Sequence, residues 1–140
     1  METVKAIPPA VEALIPVIQK RMTKENLTAY ADGIERLKAA LEKCPNIGET
    51  DGLSEHPAIF HFFFMSSDFF ICEYDKKDKM FGYAIIGGDL NNCEWGYLSL
   101  QTLTSNPYLN IDYHFEEQSI EAALYKAYPQ WFNKPNSLRA

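Results

Sequence analysis

Apolar positions recur at helical spacing before residue 45 and switch to a two-residue alternation after residue 58. In residues 10–22, Val11, Leu14, Ile15, Ile18 and Met22 form one stripe, and Pro8 and Pro9 suit a helix entrance. Pro16 does not suit a helix interior, because it cannot bond back to the carbonyl of Glu12. The pattern predicts a kink there, or a helix shorter than its stripe. A second helix is predicted from Leu27, Tyr30, Ala31, Ile34, Leu37 and Leu41, with Thr23 as N-cap and Cys44-Pro45 followed by Gly48 as its end. A polar linker, Asn46 to Pro57, follows.

Four strands come next. Ile59–Met65 and Phe69–Tyr74 flank Ser66-Ser67, read as a tight hairpin. The first strand is apolar on both faces, with Ile59, Phe63 and Met65 on one and Phe60, Phe62 and Phe64 on the other, so it calls for cover on both sides. Met80–Ile86 and Cys93–Leu98 flank a longer loop, Gly87 to Asn92. Ser99 can cap a short helix, Leu100 to Ser105. Residues 109–115 alternate and suit an edge strand, and a last helix is predicted from Glu116 to Tyr128. The expected architecture is a single α+β domain over residues 1–140. A helical part (1–45) packs on a four-stranded antiparallel meander, which with its C-terminal helix spans 58–128, and a mobile tail occupies 129–140.

The 14% aromatic content concentrates between Phe60 and Tyr97, which places the core there. Three cysteines without a CxxC pair argue against a disulfide framework, and no apolar run is long enough for a leader or a membrane span. A cytoplasmic location is the resulting expectation. Net charge is −6, and residues 80–125 carry six acids with no Lys or Arg. That balance argues against direct binding to a phosphate backbone. It fits either a solvated surface or a face that meets a basic partner.

Three segments carry a resemblance: Met80-Phe-Gly-Tyr-Ala, then Glu94-Trp-Gly-Tyr-Leu-Ser-Leu100, then Asp112-Tyr-His-Phe115. With Glu73 to Asp75 they are similar to a family of small domains of unknown function found in plasmid, phage and other mobile-element proteins. Its pattern reads Phe-Gly, then Glu-Leu-Gly-Tyr-x-Ser-Leu-x-Glu-Leu, then Arg-Asp-x-x-Phe. The match spans roughly half the chain. Trp95, Thr102 and Ile111 depart from it, standing where Leu, an acid and Arg are usual, and the helices before residue 57 lie outside it. The resemblance implies the meander and a mobile-element setting. It supplies no catalytic residues.

Candidate chemistry is sparse. Glu94, Asp112 and His114 are the residue types of a divalent-metal site, although their spacing is unspecific. Ser99 reads as a helix cap, and Gly96 as a site of close backbone approach. His61 reads as a buried histidine with a backbone partner, and Cys72 and Cys93 as small core residues. Gly87-Gly88 lacks the pattern of a phosphate loop. The sequence therefore favours a non-enzymatic module that contacts another protein through Asp89, Glu94, Asp112, Glu116 and Glu117. No cofactor, no direct nucleic acid and no membrane are expected. A sharper form is an acidic inhibitor of a host nucleic-acid-handling or defence complex. The rivals are a metal-assisted hydrolase using Glu94, Asp112 and His114, and a structural accessory.

Overall fold

Pro16 breaks the first helix as its missing N–H requires. In the computed structural model, which describes residues 6–139, α1 (Pro9–Glu12) ends before it and α2 (Val17–Glu25) begins after it. The break redirects the chain, so the expected stripe does not continue. Val11, Leu14 and Ile15 are buried, whereas Ile18 and Met22 are exposed. The reading of residues 1–5 and of Ala140 lies outside the described residues.

Helix α3 (Ala31–Lys43) starts later than its apolar pattern suggested. Thr23, expected as its N-cap, lies inside α2 and is fully buried. Its hydroxyl bonds to the Gln19 carbonyl (2.8 Å) and to the Tyr113 hydroxyl (2.7 Å). Ile34, Leu37 and Leu41 face the core as the spacing demanded. Gly33 is fixed by packing. A Cβ there would lie 2.7 Å from the Tyr113 ring, so only glycine lets that ring rest on the helix.

The class is α+β, as expected. Strands β2 (Phe60–Phe64), β3 (Ser67–Tyr74), β4 (Lys79–Ile85) and β5 (Cys93–Ser99) form an antiparallel meander. Only Asn110–Ile111 of the alternating 109–115 segment is strand. This β6 pairs with β2, giving a five-stranded sheet in the order β5-β4-β3-β2-β6. A separate two-stranded sheet joins β1 (Pro57–Ala58) to β7 (Gln118–Ser119).

The first hairpin turns one residue earlier than expected, at Met65-Ser66, with Phe64 opposite Ser67. Met65 adopts φ 51° and is 88% exposed instead of extending the apolar strand. The shift places Phe60 opposite Ile71 and Phe62 opposite Phe69 on one face. Register is specified by that burial, at the cost of an unfavourable φ in the turn.

Both faces of the sheet are covered. Phe60, Phe62, Ile71 and Met80 pack with residues of α1 and α3, with α4 (Leu100–Thr104) and with the Leu109–Tyr113 segment. On the other face Phe70, Cys72, Tyr83 and Ile85 pack under Ile120, Ala123 and Leu124 of α5 (Ile120–Ala127). Ser99 caps α4 by accepting from the Thr102 N–H, as read from sequence. Helix α5 begins later than expected, with Ser119 accepting from the Ala122 N–H, so Glu116 and Glu117 precede β7 and do not line a helix start. Beyond it, Phe132 packs edge-on against Tyr83, and a 3-10 turn spans Asn136–Leu138. Among the described residues no helix is long and apolar enough to cross a membrane.

Candidate functional site

The two halves of the expected acidic face sit on different parts of the molecule. Asp89 lies in the β4–β5 turn, where its carboxylate accepts from the Asn91 N–H, and Glu94 is exposed on β5. Asp112 follows β6 at the far side of the sheet, four strand spacings or about 19 Å away. His114 is exposed, with its ring 3.7 Å from Asp32. Glu94, Asp112 and His114 therefore do not share a coordination sphere. The reason is topological: β5 and β6 are the two opposite margins of one sheet. Among the described residues no group of three or more His, Cys, Asp or Glu side chains is arranged to hold a metal ion.

Asp112 instead faces His61. The imidazole lies flat on Phe70, with ring centroids 4.6 Å apart and planes at 8°, and its Nε2 is 2.7 Å from the Asp68 carboxylate. An ionised carboxylate only accepts, so Nε2 carries the hydrogen and donates. The buried Nδ1 has no hydrogen-bond partner among the described residues and lies 3.6 Å from Asp112 Oδ2. A backbone partner had been expected for this histidine. Carboxylates from β3, seven residues on across the hairpin, and from the chain beyond β6 flank it instead.

Two polar centres were not visible in the sequence. Glu73 is buried, and its carboxylate accepts from the N–H groups of Gly48 (2.8 Å) and Thr50 (2.9 Å) and from the Thr50 hydroxyl. Burial pushes its pKa up, but those donors outweigh it and hold the carboxyl below its ordinary value. It ties the 46–57 segment to the central strand. Glu121 accepts from both the backbone N–H and the ring Nδ1 of His56, and the His56 ring packs 4.5 Å from Trp95. Cys72 beside them is no nucleophile, since burial pushes its thiol up to about 12.

An open groove of about 510 Å³ lies between α3 and the β1 and 115–117 segments. Ala39, Ala40, Pro45, Pro57, Ala58, Ile59 and Phe115 give it an apolar floor. Arg36 and Lys43 line one wall, Glu116 and Glu117 the other. Lys43 Nζ reaches Glu117 at 3.3 Å, and Arg36 is paired with Asp32 at 2.9 Å. Both pairs are exposed and contribute little to stability, so they can be exchanged for contacts with a ligand. Two of the five residues expected to bind a partner thus lie on one apolar-floored groove, and the other three lie elsewhere.

Comparison with known proteins finds no matching family model, no matching curated protein and no matching solved structure.

Proposed function

We propose that this chain is a non-enzymatic protein-binding module that seats a segment of another protein in the groove between α3 and β1. The observation that carries this reading is the pairing of an apolar floor with oppositely charged walls, Arg36 and Lys43 against Glu116 and Glu117. Apolar floors supply affinity, and charged rims fix partner choice and register. The net charge of −6 favours a basic partner. A component of a host nucleic-acid-handling or defence complex has that character, and the resemblance to mobile-element domains points the same way.

The test is capture of partners from host cells with the wild-type chain and with two groove variants. Ala39 is exposed, so Ala39→Trp fills the groove without disturbing the core. Glu116→Lys with Glu117→Lys reverses one wall. A partner retained by the wild type and lost by both variants supports the reading. Capture that neither variant alters would overturn it.

A further inference from the structure

Among the described residues, strand β5 is hydrogen-bonded on one side only, to β4. The Leu100 N–H donates to the Asp78 carbonyl at 2.9 Å. In an antiparallel ladder that bond flanks a pair whose own N–H and C=O groups point outward, here Ser99 with Lys79. Stepping back by twos along an unbroken register, Tyr97, Trp95 and Cys93 belong to the same kind of pair. Their backbone groups therefore face away from β4. The strand has no proline, no lysine and no bulge to guard a free edge, and Glu94 is its single charge. Tyr97 is 61% exposed, its ring held against Phe81 and under the Lys79 ammonium.

We infer that this edge is a self-association surface, on which the β5 strand of a second copy of this chain pairs antiparallel across a two-fold axis at Gly96. The residues select this occupant. Gly96 is the midpoint of Cys93–Ser99, so the full strand overlaps with itself only in this register. Trp95 then lies opposite Tyr97 of the second copy, and Tyr97 opposite its Trp95, on one face. Each of these pairs exchanges both backbone hydrogen bonds, because those are the outward-pointing residues. Glu94 falls opposite Leu98, so the strand's single charge never meets itself. Gly96 meets Gly96 on the axis, and nothing among the described residues lies within 4 Å of a Cβ there.

Charge at the ends agrees. Pairing Cys93 with Ser99 of the second copy brings the turn carrying Asp89 toward the Asp75–Lys79 segment, whose three lysines outnumber its two aspartates. The symmetry makes that contact twice. A closed two-fold dimer also removes the open edge, which would otherwise template uncontrolled strand addition. This surface is separate from the groove, and groove variants leave it intact.

Sedimentation velocity over a wide dilution series reads the outcome. The wild-type chain is expected to sediment as a dimer that dissociates on dilution. Gly96→Lys and Gly96→Glu each set like charges against themselves on the axis and are expected to be monomeric with wild-type circular dichroism. Mixed in equal amounts, the two variants are expected to recover the dimer, which a merely misfolded variant cannot do. Tyr97→Pro is the second probe. Its lost N–H points off the sheet, so it removes donors from the free edge and none from the β4 ladder. Ala39→Trp is expected to remain dimeric. A wild-type chain that stays monomeric at the highest concentration, a dimer indifferent to Gly96→Lys and Tyr97→Pro, or variants that do not recombine would overturn the inference.

Discussion

At one margin of the sheet, Ile111 of β6 turns its free N–H and C=O toward α2, where the side-chain amide of Gln19 takes both, at 2.7 and 2.9 Å. At the other margin, the outward groups of β5 meet no such amide among the described residues. The closed margin is a strand of two residues, and the open one runs for seven. A side-chain amide presents one NH2 and one C=O group and can mimic the next strand for a single residue, not for a whole edge. A short edge is thus closed from within the chain, whereas a long bare one is left for association with another chain.

The closed margin is where the fold is most easily broken. Phe62 is fully buried on β2 beside β6 and opposite Phe69. Phe62→Ala is expected to cost about 3–5 kcal/mol in urea unfolding, from lost transfer energy and the cavity left behind. Tyr97→Ala at the open margin removes a mostly exposed ring and is expected to cost about 0.5 kcal/mol or less when measured in the monomer. Comparable losses at the two sites would dissolve the distinction between the margins.

The central strand offers a test that favours neither edge. Glu73→Gln keeps one acceptor but removes the second, which the Thr50 N–H and hydroxyl share. The expected loss is about 3 kcal/mol near neutral pH. The folded carboxyl lies below its ordinary value, so its stabilisation is complete above the normal carboxylate range and is lost as pH falls through the folded value. Urea midpoints measured down the acid side should therefore fall less steeply in the variant than in the wild type. Parallel curves would show that Glu73 does not carry this part of the acid sensitivity.

What the sequence discloses and what it hides follow the same division between local and distant contacts. The break at Pro16, the Ser99 cap, the meander and the inward face of α3 are set by neighbours a few residues apart, and periodicity reports them. Gln19 and Ile111 are 92 positions apart, Thr23 and Tyr113 are 90, and Glu73 reaches back 25 to Gly48. No spacing rule connects such pairs, so Thr23 read as a helix cap and Glu73 only as part of a motif. The same limit explains the candidate site. Glu94, Asp112 and His114 were grouped by residue type, and only the strand order reveals that β5 and β6 are opposite margins.

The Gln19 amide itself can be removed. Gln19→Ala leaves the Ile111 N–H and C=O without their partners at a half-buried position, at an expected cost of about 2 kcal/mol. It also converts the guarded margin into a second bare edge, so light scattering on prolonged incubation should rise where the wild type stays clear. Unchanged stability and unchanged scattering would mean that water replaces the amide and that the margin was never closed by it.

The smallest expected effects separate the margins by sign. Gly33 and Gly96 both sit inside regular elements, where replacing glycine with alanine ordinarily stabilises by about 0.5–1 kcal/mol through the entropy of the unfolded chain. At Gly33 the new methyl would lie 2.7 Å from the Tyr113 ring, which is held in turn by its hydroxyl bond to Thr23 and cannot retreat freely. Overpacking of this kind costs about 1–3 kcal/mol, so Gly33→Ala should be net destabilising by about 1 kcal/mol. At Gly96 a Cβ meets nothing within 4 Å among the described residues, and the entropic gain stands alone. Gly96→Ala should therefore stabilise by about 0.5 kcal/mol. Urea midpoints at one fixed, low protein concentration read both values without a contribution from self-association. Two stabilising substitutions would mean that Tyr113 yields and that its side of the molecule is less tightly packed than its contacts imply. Two destabilising ones would mean that β5 is already covered in the free chain.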